Sequence, residues 1–191
     1  FDIIERNLII GGQNSAFYFI DGFTKDETML KLMDSFLNIS ADDMPEDATS
    51  FSTSCIPYVE VDILGDFDSI FKNLLSGVTC LFIDGYEAAI AIDCRTYPSR
   101  SIEEPDKDKS LRGSRDGFVE TIVFNTALMR RRIRDPHLIM EMYEAGTSTR
   151  TDIALCYMSD RVDRELLTTI QNKLEESKSQ DLKMSQKYIA E

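Results

Sequence analysis

Apolar residues at alternating and helical spacings divide the start of the chain into a hairpin and a helix. Residues 2–10 and 16–20 are rich in strand-forming side chains and flank turn-forming residues at 11–15, which predicts a β-hairpin. Thr24 and Glu27 have the spacing of a capping box, which predicts the start of a helix. The apolar stripe that we expect this helix to bury consists of Met29, Leu30, Met33, Phe36 and Leu37.

An acidic segment separates this helix from the next elements. Residues 40–53 carry many acidic side chains and are typical of a solvated connection. Residues 56–64 predict a strand. Either Asp66 or Asp68 can then cap a short helix that ends at Gly77. The side chains that we expect this helix to bury are Ile70, Phe71, Leu74 and Leu75.

A second hairpin and a linker follow. Residues 78–83 and 87–94 predict two strands, joined through Asp84-Gly85, which is a strong hairpin signal. Residues 97–110 mix prolines with alternating charges, which is typical of a linker.

The second half of the chain is predicted to open with a helix. Asp116 can cap this helix, and Glu120 would lie in its first turn, where a carboxylate favours the helix dipole. The helix is expected to end before Pro136. Its expected buried side consists of Phe118, Val119, Ile122, Val123, Met129 and Ile133.

A third hairpin and a last helix complete the pattern. Residues 138–145 and 152–158 predict the two strands, and residues 163–176 predict the helix. The side chains that we expect this last helix to bury are Leu166, Leu167, Ile170 and Leu174.

The last hairpin and helix resemble the first at an offset of 137 residues. The matched pairs are Met29 with Leu166, Leu30 with Leu167, Met33 with Ile170, Leu37 with Leu174 and Asp26 with Asp163. A spacing shared by any hairpin–helix unit is the alternative interpretation. If the repeat is real, the counterparts of residues 69–94 fall beyond Glu191, and we expect the second module to be incomplete.

These elements predict an α/β fold with α+β character, made of two small α/β subdomains with mixed sheets. We place the first subdomain at residues 1–97, the linker at 98–111 and the second subdomain at 112–191. The charge distribution supports a division, because residues 1–95 carry 17 acidic and 5 basic residues, whereas residues 96–191 carry 17 and 16.

Composition excludes several classes of function. The net charge of −13 argues against general nucleic-acid binding, which needs cations to neutralise phosphates. No apolar run approaches the roughly 18 residues that a membrane helix needs. The four cysteines lack C-x-x-C spacing, which predicts thiols in apolar surroundings rather than a zinc or redox site. We therefore expect no metal and no cofactor.

No catalytic constellation is recognisable. His137 is the only histidine and has no evident partner for a triad. The segment Gly113-Ser-Arg-Asp-Gly117 precedes a predicted helix, but it is too short for a phosphate-binding loop and lacks the lysine. One interpretation is an anion held by Arg112 and Arg115 at the helix N-terminus. The other is a structural turn with its own ion pairs.

Arginine is concentrated in one part of the chain. Seven arginines and no lysine occur between residues 112 and 150. Because arginine forms forked pairs with carboxylates, this cluster favours an internal or subunit interface against the acidic first subdomain. A solvated helix end, whose cations favour the helix C-terminus, explains it equally well.

Two runs in the second half of the chain match a recognisable pattern. The first is Leu111-Arg-Gly-Ser-Arg-Asp-Gly-Phe-Val-Glu-Thr121, and the second is Asn125-Thr-Ala-Leu-Met-Arg-Arg-Arg-Ile-Arg-Asp-Pro136. The strand Thr151-Asp152-Ile153-Ala154 continues the match. Together these runs resemble the A subunits of GerA-type spore germinant receptors, and the resemblance covers essentially the whole chain.

The resemblance implies a nutrient-sensing receptor of dormant spores. In this family a soluble N-terminal domain of two α/β subdomains precedes a membrane domain with several spans. The A subunits act with B- and C-type subunits in the spore inner membrane, where nutrients trigger germination. This chain would then be most of the N-terminal domain, on the cytoplasmic side, without the membrane region.

We therefore expect a non-enzymatic domain that binds or transmits a nutrient signal, the nutrient being an amino acid or a sugar. The candidates for ligand binding or for the subdomain interface are Arg112, Gly113, Arg115, Asp116, Glu120 and Asn125. The candidates for a partner surface are Arg130, Arg131, Arg132 and Arg134. The alternative is a purely structural assembly platform. A more remote alternative is an enzyme acting on a phosphorylated metabolite, which would need a phosphate loop and a general base.

Overall fold

The computed structural model describes residues 1–24, 26–96, 117–147 and 150–178. The chain divides into two compact units, a first unit at Asp2–Arg134 and a second unit at Asp135–Glu191 joined by Phe1. The predicted linker at 98–111 lies outside the described residues, so the predicted domain boundaries there stay a prediction. The helix that follows this linker belongs to the first unit.

A five-stranded sheet forms the centre of the first unit. Its strands are β1 (Ile3–Ile10), β2 (Gln13–Ile20), β3 (Val61–Leu64), β4 (Thr79–Ile83) and β5 (Ala89–Ile92), in the order β1-β2-β4-β5-β3. The overall α/β class is confirmed, but the expected mixed sheets are wrong, because every strand pair in the described part of the chain is antiparallel. The helical crossover from β3 to β4 does join two strands of the same direction, but β5 lies between them.

Helices cover both faces of this sheet. On one face, α1 (Asp26–Leu37) and α2 (Ala48–Ser54) pack through a core that includes Phe17, Phe36, Phe51, Leu81 and Ile90. On the other face, α3 (Phe67–Leu75) packs through a smaller cluster with Ile70, Leu74, Cys80 and Ala91. Alternate residues of β4 and β5 enter opposite cores, as the two-residue period of a strand requires. Burial raises the pKa of the Cys80 thiol to about 12, so this thiol packs as an uncharged group.

The buried side of α1 differs from the predicted stripe. Met29 and Phe36 are buried as predicted, but Leu32 is buried with them, whereas Leu30 and Leu37 are exposed. The helix contains two overlapping apolar stripes, and the sequence alone does not show which one faces the sheet. The predicted start of the helix is also displaced, since it begins at Asp26.

The predicted acidic loop contains helical structure. Within residues 40–53 the chain forms a short 3-10 helix, Ala41–Asp43, and most of α2. The Asp47 carboxylate accepts a hydrogen bond from the Ser50 backbone N–H at 2.7 Å and thereby caps α2. The Phe51 side chain is completely buried against Phe36 and Tyr86. One buried ring and one cap therefore outweigh the acidic composition that predicted a loop.

The short helix α3 agrees closely with its prediction. Asp66 is its N-cap, and its carboxylate accepts from the Ser69 backbone N–H at 2.8 Å. Gly77 follows with a φ of +94°, in the left-handed region that glycine favours. Phe71 is the exception, because it is exposed rather than buried. The strand β3 before it is shorter than predicted and starts at Val61.

The helix α4 (Ile122–Arg132) does not bury its predicted side. Asp116 lies outside the described residues, and the helix begins after Thr121, so that Glu120 precedes it. Its buried residues are Thr126, Ala127 and Arg130, whereas Phe118 and Ile133 are exposed. The helix contacts the rest of the first unit along a narrow line of small and polar side chains instead of a wide apolar stripe.

The second unit contains a hairpin and one helix, as predicted. Strands β6 (Leu138–Ala145) and β7 (Thr151–Met158) are antiparallel, and α5 (Arg164–Ser177) is capped by Asp163. Leu167 and Leu174 are buried, but Leu166 is exposed, which corrects the predicted stripe.

The internal repeat recurs in these elements with a different offset. The starts of β7 and α5 follow those of β2 and α1 by 138 residues, not 137. This offset aligns buried Leu167 with buried Met29, and buried Leu174 with buried Phe36. The predicted offset aligned apolar letters, whereas burial selects the neighbouring alignment.

Candidate functional site

A buried ion pair attaches α4 to the start of the first strand. The Arg130 Nε donates to Asp2 Oδ2 at 2.5 Å, and Nη2 donates to Asp2 Oδ1 at 3.2 Å. The two side chains are only 2% and 5% exposed. A forked pair of this kind fixes both the distance and the rotation of the helix. Arg130 is therefore not a surface residue, and its expected role in a partner surface is corrected.

The turn after β2 lies directly against α4. The backbone N–H of Asp21 donates to the Asp2 carbonyl at 2.8 Å, which places the turn beside the ion pair. Gly22 has a φ of +79°, and a Cβ there would lie 3.3 Å from Val123 Cγ1 and 3.5 Å from Ala127 Cβ. Gly22 thus supplies both the left-handed conformation and the close approach of the helix.

Asn125 fastens the segment that leads into α4. Its Oδ1 accepts from the Val119 backbone N–H at 2.8 Å, and its Nδ2 donates to the Val119 carbonyl at 2.7 Å. Both polar atoms of the amide are therefore bonded to the backbone. Asn125, a candidate ligand-binding residue, shapes the segment 117–121, and the nearby candidate Glu120 is exposed.

A cavity of about 450 Å³ lies between this segment and the C-terminal half of α4. Its lining is mostly apolar, and the only ionic side chain among the described lining residues is Arg132. The residues that line it are Gly117, Phe118, Leu128, Met129, Arg132 and Ile133. An apolar cavity with one guanidinium fits a small ligand that has an apolar body and an anionic group.

The end of α4 presents basic side chains. Arg131, Arg132 and Arg134 are exposed, and Arg134 Nε donates to the Arg131 carbonyl at 3.2 Å. Cations at this position offset the negative end of the helix dipole. The structure thus brings Arg132 to the cavity and separates it from buried Arg130.

Other predicted site residues are not described. Arg112, Gly113, Arg115 and Asp116 lie outside the described residues, and their roles stay a prediction. Conversely, Asp2 and Gly22 were missed by the sequence analysis. Asp2 looks like an ordinary acidic residue before a strand, and no local pattern connects it with an arginine 128 positions away. Gly22 carries a weak signal, because Asp-Gly is a turn-forming pair.

A second cavity, of about 550 Å³, lies where β3 begins and β5 ends. Tyr58, Val59, Glu60, Asp93 and Arg95 line it. The Arg95 guanidinium forms an ion pair with the Asp93 carboxylate, and this hydrogen bond lowers the pKa of Asp93. Arg95 Nη1 also donates to the Ser76 carbonyl at 3.2 Å, which holds the pair against the end of α3.

A carboxylate in the second unit is held by neutral donors. The hydroxyls of Tyr157 and Tyr143 each donate to the Glu141 carboxylate at 2.7 Å, and the Gln171 amide donates at 2.8 Å. These bonds lower the pKa of Glu141. Gln171 belongs to α5, so this network ties the helix to its hairpin.

Within residues 1–24, 26–96, 117–147 and 150–178, no group of three or more histidine, cysteine or acidic side chains could hold a metal ion. In the same ranges no helix is both long enough and apolar enough to cross a membrane.

Comparison with known proteins places the chain among spore proteins. The model of the family described as Bacillus/Clostridium GerA spore germination protein matches residues 1–191. Stage V sporulation protein AF of Bacillus subtilis is 32% identical over 192 residues, which cover 100% of this chain and 39% of that protein. Spore germination protein KA of the same organism is 30% identical over 178 residues, which cover 91% of this chain and 33% of that protein.

A solved structure has a similar fold. The crystal structure of the N-terminal domain of the A subunit of the Bacillus megaterium spore germinant receptor GerK3 superposes with a TM-score of 0.67 at 21% identity. The superposition covers 94% of this chain and 66% of that domain. The chain spans about two fifths or less of the length of these curated relatives. Since the family model matches every residue, the chain belongs to the Bacillus/Clostridium GerA spore germination protein family.

Proposed function

We propose that the chain forms part of the N-terminal domain of a germinant-receptor A subunit and takes part in nutrient-triggered spore germination. The observation that carries this proposal is the family match over residues 1–191. The likeness in fold to the N-terminal domain of the GerK3 A subunit supports it. The proposal includes no catalytic step, since the relatives are named as germination and sporulation proteins.

The cavity beside α4 is the proposed nutrient site. Its apolar lining residues Leu128 and Met129 suit an aliphatic side chain, and Arg132 suits a carboxylate. A sugar would leave most of its hydroxyls without partners against this lining, which carries a cost. The cavity therefore favours an amino acid with an apolar side chain over a sugar.

A role in assembly is the second candidate function. Arg131 and Arg134 are exposed on the same helix end, and arginine is common at protein interfaces. The proposed partners are the B- and C-type receptor subunits. The proposed place of the whole protein is the spore inner membrane, with this part on the cytoplasmic side.

Calorimetric titration with leucine, valine and glucose tests the nutrient site. Leucine or valine is expected to bind and glucose is not, and Arg132→Gln is expected to weaken binding of the amino acid about tenfold. Arg131→Gln, which removes the same charge outside the cavity lining, serves as the matched control. If neither amino acid binds, or if both variants bind like the parent, the nutrient site is wrong and the assembly role gains support.

A further inference from the structure

The strand β3 lies at one end of the five-stranded sheet and has an open edge. In the described part of the chain it pairs with β5 alone. The Asp93 backbone N–H donates to the Glu60 carbonyl at 2.9 Å, which continues the same register beyond the strand. Because hydrogen-bonded and non-hydrogen-bonded pairs alternate, Asp62 and Leu64 direct their backbone groups to β5. Val61 and Ile63 then direct their N–H and C=O groups to the open edge.

Large apolar side chains surround this edge. Val59 is 97% exposed and Phe67 is 73% exposed, and both Ile63 and Phe71 are also exposed. Phe67 and Phe71 are one turn apart in α3, so they share a face of that helix. Open backbone groups next to exposed apolar side chains form a surface on which an extended segment can add a strand.

The charges beside this edge are all of one sign. Glu60 and Asp62 are both exposed and follow one another on the same face of the strand. The opposite edge strand, β1, instead carries both Glu5 and Arg6. A strand that pairs with β3 must therefore offset two carboxylates on one face. It must also cover Val61 and Ile63 on the other face.

These charges disfavour a second copy of the chain as the occupant. Antiparallel self-pairing centred on Asp62 would place the two Asp62 side chains directly opposite one another. Self-pairing centred on Val61 would place Glu60 opposite Asp62. Like charges in cross-strand positions are destabilising, and the net charge of −13 on each copy adds to the repulsion.

We propose that the open edge of β3 is a docking site for an extended segment of a partner protein in which lysine or arginine alternates with apolar residues. The basic residues lie opposite Glu60 and Asp62, and the apolar residues lie opposite Val61 and Ile63. The segment becomes a sixth strand of the sheet. This inference stands apart from the nutrient site, because it uses none of the cavity residues beside α4.

Binding of a designed peptide to the full 191-residue chain tests this site. The probe is a labelled six-residue peptide that alternates lysine with valine, and fluorescence anisotropy at low ionic strength gives its affinity. Hydrogen exchange in the same complex is expected to slow at the Val61 and Ile63 amides. A glutamate–valine peptide is expected not to bind. A lysine–glycine peptide, with the same charge but poor strand propensity, is expected to bind more weakly.

Two protein variants separate docking from general attraction to an acidic surface. Asp62→Lys is expected to weaken binding of the lysine–valine peptide about tenfold, because it replaces an opposite charge with a like charge across the strands. Asp34→Lys makes the same change in net charge on exposed α1 and is expected to leave affinity within about twofold. Thermal unfolding of both variants checks that they fold.

Several results would overturn the docking site. They are no binding of the lysine–valine peptide, equal weakening by the two variants, and binding without slower exchange at Val61 and Ile63. Sedimentation that shows dimers whose β3 amides are protected without peptide would assign the edge to a second copy instead.

Discussion

At the scale of single residues, the position of α4 depends on a few polar contacts. Arg130 forms a forked pair with Asp2, and Gly22 leaves room for the helix. Arg130 belongs to a run of three consecutive arginines, and its two neighbours are exposed. Sequence alone cannot distinguish the three, because their burial depends on a residue that lies 128 positions earlier.

Truncation of Arg130 is expected to destabilise the first unit strongly. Arg130→Ala leaves the Asp2 carboxylate buried without its partner, at a cost of about 3–5 kcal/mol in the free energy of unfolding. Urea unfolding followed by circular dichroism measures this loss. Arg131→Ala is the matched control and should have a far smaller effect, since its side chain is exposed. Equal unfolding midpoints for the two variants would show that the pair does not hold the helix.

At the scale of secondary structure, local signals predicted some elements and failed for others. The three hairpins and α3 have turn and capping residues within a few positions of one another, and they form as predicted. The helices α2 and α4 depend on distant partners, namely the core around Phe51 and the carboxylate of Asp2. The choice between the two apolar stripes of α1 is likewise made by the sheet.

The candidate site follows the same division. Arg132 was recognised from the arginine run, but its place in a cavity depends on how Phe118 and Leu128 pack. Asn125 was singled out by the resemblance, and the structure gives it a local hydrogen-bonding role. The family pattern therefore marks residues that shape the site as well as residues that line it.

The cap of α2 is expected to determine whether that helix forms. Asp47→Ala removes the acceptor of the Ser50 N–H, so hydrogen exchange in α2 should become faster, and Glu46→Ala is the matched control. The Ser50 hydrogen bonds lower the pKa of Asp47 in the folded protein. A lowered pKa means that the stabilisation is present above the unfolded value, near pH 4, and is lost as pH falls through the folded value. Exchange that stays equally slow in Asp47→Ala at neutral pH would contradict this role.

At the scale of the whole molecule, two findings point in the same direction. The GerA family model matches the full chain, and the fold resembles that of a germinant-receptor N-terminal domain. The first unit adds two surfaces of different chemistry, an apolar cavity with Arg132 and an acidic strand edge at β3. A receptor domain requires both a way to receive a signal and a way to pass it to a partner. These surfaces are our candidates for the two tasks.

The most direct measurement is the germination rate of spores that lack the gene for this protein, recorded after addition of single amino acids and sugars. Our account predicts that such spores lose or slow their response to at least one nutrient, with an amino acid of apolar side chain as the first candidate. It also predicts that the restored gene recovers this response. Spores without the gene that germinate like the parent with every nutrient would contradict the proposed function.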